Sequence, residues 1–303
     1  MTNNSGYHIP VLLNSSVEGL NIVPSGVYVD VTFGGGGHSR KILESLNQNG
    51  KLFAFDQDAE AHENSIDDSR FTLIDQNFAF VKNHLAFHGI EKVDGILADL
   101  GVSSHQFDVA ERGFSTRFEG GLDMRMNQKS KISAKEIINK YSEEKLAEIL
   151  FAYGELRNSR KIARLIVEAR ANKKIETSFD LKEALKTVLP KAKEHKILAQ
   201  IFQAIRIEVN EELDVLKEFL EQIPNLLNAE GRLSVISYHS LEDRLVKRFI
   251  RTGLFEGEPE KDVFGNSDEP LKKVGKLIIP SKEEIKINNR ARSAKLRIAT
   301  LKV

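Results

Sequence analysis

Residues 29–39 read VDVTFGGGGHS, and this stretch decides the fold class. The β-branched and apolar residues at its start predict a buried strand, and a helix is expected after the glycines. Four glycines, Gly34 to Gly37, let the backbone turn sharply and approach a ligand without steric cost. A tight strand-to-helix turn without a ligand would show the same glycines, so the surrounding sequence has to decide.

Short apolar runs alternate with helical patterns on both sides of a middle segment. The predicted strands are Val27–Thr32, Leu52–Asp56, Phe71–Ile74, Val93–Leu100, Arg232–Tyr238 and Lys295–Leu301. A long helix is predicted around Gln200–Leu227, and another begins near Leu241. This alternation is typical of an α/β domain with a parallel sheet.

The alternation stops between Phe107 and Gln200, where an irregular stretch rich in Gly and Arg precedes several helical patterns. The simplest interpretation is one α/β domain, residues 1–106 and 201–303, with an inserted helical domain at residues 107–200. The chain as a whole is neutral, yet this insertion holds 20 Lys and Arg against 14 Asp and Glu. Its basic excess predicts a role in RNA recognition.

The composition excludes several kinds of chemistry. The chain has no cysteine, which rules out disulfide frameworks, thiolate zinc sites and a cysteine nucleophile. No spacing of His residues suggests a catalytic metal, so none is predicted. No apolar run reaches about 18 residues, so we expect a cytoplasmic protein without a membrane segment.

Acidic residues at predicted strand ends indicate the cofactor. Asp56 lies about 20 residues beyond the glycine turn, where a carboxylate can bind a ribose diol, although a solvated strand end or a helix cap would place it there too. Asp30 and Asp99 would repel a pyrophosphate but stabilise a sulfonium and an ammonium group. S-adenosylmethionine is therefore favoured, and an NAD-dependent oxidoreductase remains the alternative enzyme.

Two polar loops follow predicted strands at the same edge of the sheet. Ser103 and Ser104 are explained equally well by turn chemistry and by a functional role. The loop with Asp or Asn followed by Pro-Pro and an aromatic residue, which holds the target amine in many amine methyltransferases, is absent. In the second loop, Ser240 and Asp243 favour a helix capping box. His239, just before them, is either a substrate contact or a structural histidine.

The C-terminal region is basic. Its cations are Lys286, Arg290, Arg292, Lys295, Arg297 and Lys302, with no Asp or Glu among them. Such a run is either a solvated face or a phosphate-binding surface, and both interpretations stay open.

Taken together, these motifs resemble one family, the bacterial ribosomal RNA small-subunit methyltransferase H family, also known as MraW. The matching segments span nearly the whole chain: residues 8–13, 30–40, 94–106, 111–115, 122–126, 202–206, 231–248 and 290–297. Departures from the family pattern are Gly35, His105 and Asn289, where Arg, Pro and Pro are usual.

The resemblance implies a class I, Rossmann-like S-adenosylmethionine-dependent methyltransferase fold with an inserted helical domain. It implies methylation of N4 of a cytidine in the decoding region of 16S rRNA within the small ribosomal subunit. A homodimer is left open. The cofactor contacts that it implies are Gly36, Gly37, His38, Asp56, Phe78, Asp99 and Gln106.

The chemistry of an exocyclic amine limits what catalysis needs. Its lone pair is delocalised into the ring, so alignment for direct displacement matters most. We expect Asp99 to accept a hydrogen bond near the reacting centre, and His239 is a weaker candidate for positioning the substrate or removing a proton. Methylation at cytosine C5 would need a cysteine, which is absent. A non-catalytic RNA-binding protein is the rival from another class.

Overall fold

The computed structural model describes residues 10–264 and 267–302, so His8 and Ile9 of the first matching segment lie outside it. The chain forms two compact units. One comprises the chain up to Gly101 and again from Leu213 onward, and the other is Val102–Glu212.

The first unit contains a seven-stranded sheet with the order β3-β2-β1-β4-β5-β7-β6. The strands are β1 (Val27–Asp30), β2 (Lys51–Asp56), β3 (Phe71–Asp75), β4 (Val93–Asp99), β5 (Leu227–Ser237), β6 (Leu271–Ile278) and β7 (Lys295–Leu301). Strands β1 to β5 pair in parallel, and β7 is antiparallel to both of its neighbours. The chain leaves β1 for β2 and β3 and returns beside β1 as β4. Ligands bind at such a switch point, outside the carboxyl ends of the strands.

The α-helices of the described residues are α1 (Leu13–Glu18), α2 (Gly37–Ser45), α3 (Val81–Phe87), α4 (Ser104–Asp108), α5 (Ala134–Lys140), α6 (Glu143–Ala152), α7 (Ser159–Asn172), α8 (Ser178–Ala184), α9 (Glu194–Asn210), α10 (Glu212–Leu226), α11 (Ser240–Thr252) and α12 (Lys282–Ile287). None of them is long and apolar enough to cross a membrane.

The central strands are buried on both faces, because side chains alternate across a sheet and helices cover each side. Val29 of β1 packs in the cluster that contains Phe219 and Ile223 of α10. Its neighbour Tyr28 packs in the opposite cluster, which contains Ile42 of α2. The apolar runs seen in the sequence are the strands of this two-sided core.

Every predicted strand is present, but two features differ from the sequence prediction. Strand β6 was not predicted. It is an edge strand that exposes Lys272, Lys273 and Lys276, a pattern that discourages edge-to-edge pairing and hides the apolar alternation. The long helix predicted around Gln200–Leu227 is wrong, since Glu211 adopts a left-handed conformation (φ 51°) and separates α9 from α10.

The second unit has its own apolar core, formed by α5 to α9. It is wider than the predicted insertion at residues 107–200. Helix α9 buries Ile201 and Ile205 in the same cluster as Ile149 of α6 and Ile162 of α7, so the whole helix belongs to this unit.

Backbone-directed side chains tie the irregular segment of this unit together. Buried Arg112 donates hydrogen bonds to the carbonyl oxygens of Arg125 (3.0 Å) and Met126 (3.3 Å). Asn210 accepts a hydrogen bond from the Met126 amide and donates one to the Met124 carbonyl, both at 2.7 Å. Two family-like segments, residues 111–115 and 122–126, are therefore joined to each other and to the end of α9.

We expect Gly113→Ala to destabilise the second unit more than Gly89→Ala destabilises the first. Both glycines have positive φ angles (72° and 73°), so alanine is strained by about 1–2 kcal/mol at either position. A Cβ at Gly113 would also lie 2.2 Å from the Gly121 carbonyl oxygen, whereas nothing lies within 4 Å at Gly89. The backbone clash adds roughly 1–3 kcal/mol. Amide hydrogen exchange of each unit measures both losses, and equal losses would contradict the close approach.

Candidate active site

Three aspartates mark the carboxyl edge of the sheet. Asp30 is the last residue of β1, Asp56 of β2 and Asp99 of β4. These strands are adjacent and parallel, so their carboxyl ends lie side by side. The predicted acidic residues are therefore brought to one edge, at the switch point of the sheet.

Asp56 organises the glycine turn. Its carboxylate accepts hydrogen bonds from the amides of Gly34 and Asp58, each at 2.8 Å. Burial raises the pKa of Asp56 to about 6, although these two hydrogen bonds oppose the shift. The carboxylate predicted to bind a ribose thus also anchors the loop that precedes α2.

Gly36 and Gly37 are required by local packing. Gly36 has a φ of 73°, and a Cβ there would lie 2.9 Å from the ring of Phe33. A Cβ at Gly37 would lie 2.2 Å from the ring of Pro10. Any larger side chain would displace the turn, so these positions keep the backbone available at the sheet edge.

Asp30 was expected to face the ligand, but its side chain is fully buried. It accepts hydrogen bonds from the Ser39 hydroxyl (2.7 Å) and the Thr32 amide (3.1 Å). Burial raises its pKa. Asp30 therefore holds the start of α2 through Ser39. Because its side chain is fully buried, it would affect a bound ligand only by long-range electrostatics.

The side chain of Asp99 is partly exposed, at 22%. One oxygen accepts a hydrogen bond from the Tyr238 hydroxyl at 2.7 Å, and the other lies 3.7 Å from Nδ1 of His38. Burial raises the pKa of Asp99 to about 6, opposed by His38 and by the hydrogen bond from Tyr238. Asp99 can thus reach a ligand while a buried network holds it.

Tyr238 is a site residue that the sequence prediction missed. It directly follows β5, and burial together with the charge of Asp99 raises the pKa of its hydroxyl well above the ordinary value. The hydroxyl therefore stays protonated and donates to Asp99. The available signal was its position at the carboxyl end of a strand adjacent to β4.

His38 and Phe78 are the two other side chains of the first unit that the resemblance implies as cofactor contacts. The buried His38 ring has Nε2 3.3 Å from the Val11 carbonyl oxygen, which orients Nδ1 toward Asp99. Phe78 follows β3 and packs edge-on against Phe219, with ring centroids 5.3 Å apart. It leaves part of its ring exposed, as a residue beside an adenine would.

Gln106 lies in the second unit, where it has a clear structural role. Its Oε1 accepts a hydrogen bond from the Ser103 amide (3.0 Å), and the Ser103 hydroxyl accepts one from the Gln106 amide (3.1 Å). This reciprocal pair is the capping box of α4. Turn chemistry thus explains Ser103, and the cofactor contact of Gln106 stays a prediction.

The capping box predicted from Ser240 and Asp243 is wrong by one residue. The cap of α11 is His239, whose Nδ1 faces the amide of Glu242. Glu242 in turn accepts a hydrogen bond from the Tyr238 amide at 2.9 Å. Nε2 of His239 is 3.1 Å from the Glu242 carboxylate, too poorly aligned for a hydrogen bond. Both ring nitrogens thus face Glu242, which favours the structural role of His239 over catalysis.

Three cations of the basic C-terminal run form ion pairs within the protein. Asp243 accepts hydrogen bonds from Arg297 (2.8 Å) and Lys295 (3.1 Å), and Lys302 pairs with Glu269 at 2.9 Å. These pairings favour an internal role for Lys295, Arg297 and Lys302 over phosphate binding. Phosphate binding by Lys286, Arg290 and Arg292 stays a prediction.

The donor set fits S-adenosylmethionine. Asp56 and Asp99 place carboxylate oxygens at the ends of neighbouring strands, suited to a ribose diol and to cationic groups, beside a glycine turn. Paired carboxylates would repel a pyrophosphate. A sheet of this order, with this edge, defines a class I methyltransferase.

The family model described as the MraW methylase family matches residues 5–302, and the chain belongs to this family. It is an S-adenosylmethionine-dependent methyltransferase. Ribosomal RNA small subunit methyltransferase H of Flavobacterium johnsoniae is 64% identical over 299 residues, 99% of each chain. The protein of that name from Christiangramia forsetii is 65% identical over 293 residues, 97% of each chain.

A solved structure of an rRNA methylase from Streptococcus thermophilus matches 97% of this chain and 99% of that chain, at 12% identity and a TM-score of 0.44. At this level of likeness, the fold assignment depends on the strand order and on the family match.

We expect the affinity for S-adenosylmethionine to fall as the pH drops through about 6. Asp56 and Asp99 are charged above that pH and protonated below it, so the attraction to the cationic cofactor is lost on acidification. Each carboxylate contributes up to about tenfold per pH unit. Calorimetric titration across this range measures the slope. Asp99→Asn should lower affinity at high pH and reduce the slope, and a flat profile for the wild type would contradict the assignment.

Tyr238→Phe should move the midpoint of this profile to higher pH. The Tyr238 hydroxyl stabilises the charged form of Asp99, so its removal raises the pKa of Asp99. Tyr28→Phe is the matched control, because the Tyr28 hydroxyl accepts from the Val23 amide and lies outside the aspartate cluster. Equal midpoints in both variants would show that Tyr238 does not tune Asp99.

Proposed function

We propose that this chain methylates the exocyclic N4 of a cytidine in the decoding region of 16S ribosomal RNA. The observation that carries the proposal is Asp99, a partly exposed carboxylate with a raised pKa at the carboxyl edge of the sheet. The chain that holds it contains no cysteine. Names of close relatives support the substrate class, since two proteins about two thirds identical are named for small-subunit ribosomal RNA.

The absence of cysteine narrows the target atom. Methylation at cytosine C5 needs a cysteine that adds to the ring, and no side chain here can play that part. An exocyclic amine needs no covalent activation, only alignment and an acceptor for its hydrogen. Asp99 meets the second requirement.

The residues that would hold S-adenosylmethionine are the glycine turn with His38, Asp56 for the ribose diol, Phe78 beside the adenine, Asp99 near the methionine part, and Gln106. When bound, the cofactor supplies a methyl group on an electrophilic sulfonium. Gly36 and Gly37 keep the backbone at the edge free of side chains.

Asp99 serves as the hydrogen-bond acceptor for the target amine. Its pKa of about 6 leaves it charged at neutral pH, so it can orient the amine and stabilise the positive charge that develops on nitrogen. The Tyr238 hydroxyl holds one of its oxygens, and Nδ1 of His38 lies 3.7 Å from the other. A separate base is not required, because the methylated amine is acidic enough to lose its proton afterwards.

The proposed RNA surface has two parts. The first part is the insertion at residues 107–200, which has a basic excess and whose family-like segments are joined by hydrogen bonds. The second part is the C-terminal region, where residues 271–302 contain ten Lys and Arg against two Glu. A folded ribosomal site needs such contacts beyond the catalytic pocket.

The test is transfer of labelled methyl from S-adenosylmethionine to small ribosomal subunits from cells that lack the endogenous activity. Nucleoside mass spectrometry should find N4-methylcytidine. Asp99→Asn should lose about 100-fold or more in rate, since it removes the charge that faces the reacting amine. Asp67→Asn, the same change at an exposed loop position, should keep full activity.

Label in another nucleoside would overturn the N4 assignment and leave the cofactor assignment intact. Full activity of Asp99→Asn would overturn the role given to Asp99.

A further inference from the structure

A cavity of about 360 Å³ opens beside the aspartate edge in the first unit. Its walls come from the turn Tyr238–Ser240, from Ile279, Pro280 and Ile285, and from the segment Arg292–Lys295. We call it the C-terminal pocket. Its volume is within the range of small-ligand sites, about 300–1,000 Å³.

One side of the C-terminal pocket is cationic. Arg292 is exposed, and it forms no ion pair or hydrogen bond with any residue that the structure describes. Lys295 is 39% exposed and is held by Asp243, whose carboxylate is already engaged by Arg297. The pocket thus carries one unpaired guanidinium and one partly neutralised ammonium group, a suitable pair for a phosphate.

Another part of the wall is apolar. Ile279 is 64% exposed beside these cations, and Pro280 and Ile285 continue the surface. An exposed isoleucine next to unpaired positive charge suits a ligand that has both a flat apolar face and an anionic group. A nucleotide has both.

Tyr238 connects the pocket to the chemistry. It lines the C-terminal pocket, and its hydroxyl donates to Asp99 at 2.7 Å. A ligand in the pocket therefore lies next to the side chain that holds the proposed acceptor of the target amine.

We propose that the C-terminal pocket binds one nucleotide of single-stranded substrate RNA, with its phosphate on Arg292 and Lys295 and its base against Ile279. The inference rests on the proposed function and adds the residues that hold the RNA. A base within a duplex cannot enter a concave pocket, so the bound segment is unpaired.

The probe is a six-nucleotide pyrimidine oligoribonucleotide, with binding followed by fluorescence anisotropy at several salt concentrations. Arg292→Ala should lower the affinity about tenfold. It should also make the slope of log affinity against log salt shallower by about 0.7–1, since one phosphate contact is lost. The control is Arg251→Ala, which removes another exposed arginine in the first unit, on α11. This control should change neither quantity.

Ile279→Ser tests the apolar wall of the pocket independently of its cationic side. It should weaken binding and leave the salt slope unchanged, because it removes an apolar contact and no charge. Cofactor affinity should stay at the wild-type value in all three variants, which shows that the edge of the sheet is intact.

Equal effects of Arg292→Ala and Arg251→Ala would overturn the proposal, as would wild-type binding that is no weaker for a duplex of the same length. Failure of the proposed function has a different signature. In that case binding of the oligoribonucleotide still depends on Arg292, but no N4-methylcytidine forms in small subunits.

Discussion

The full or partial burial of three carboxylates at one edge of the sheet is the constraint on which the rest of this structure depends. Each is held by a different donor: Asp30 by the Ser39 hydroxyl, Asp56 by the Gly34 amide and Asp99 by the Tyr238 hydroxyl. These contacts link the start of α2, the glycine turn and the end of β5 to the central strands. Two of these carboxylates, Asp56 and Asp99, thus position the loops of the site and would also bind the cofactor.

This arrangement costs stability at neutral pH. Burial raises the pKa of Asp56 and of Asp99 to about 6, so the folded chain binds protons more tightly than the unfolded chain does. The fold consequently loses stability as the pH rises from the ordinary carboxyl range through about 6. The loss is about 1.4 kcal/mol when the pKa of one carboxyl is higher by one in the folded chain than in the unfolded chain. A cationic ligand offsets this cost, which ties cofactor binding to the stability of the first unit.

The sequence was most informative where local chemistry and fold agree. Strands buried on both faces are continuous apolar runs, so β1, β2 and β4 could be predicted together with the aspartates at their ends. Strand β6 was missed because its exposed lysines break the alternation. The end of α9 was missed because Glu211, rather than a glycine, adopts the left-handed conformation there.

The remaining errors concern contacts that no local pattern records. Tyr238 reaches Asp99 across 139 positions of the chain, and a tyrosine after a strand is ordinary in sequence. Asp243 was expected to help cap α11, yet Arg297 and Lys295 of β7 engage it. Histidine is an uncommon helix cap, so the rule that favours Ser or Asp selected the wrong residue.

Thermal unfolding of the wild type and of Asp99→Asn, each with and without S-adenosylmethionine, tests the central claim most directly. Without cofactor, the variant should melt higher at neutral pH, by about 2–4 °C for each kcal/mol of relieved burial cost. With cofactor, the wild type should gain stability and the variant should gain much less. A variant that melts lower alone and gains as much from the cofactor would contradict the account.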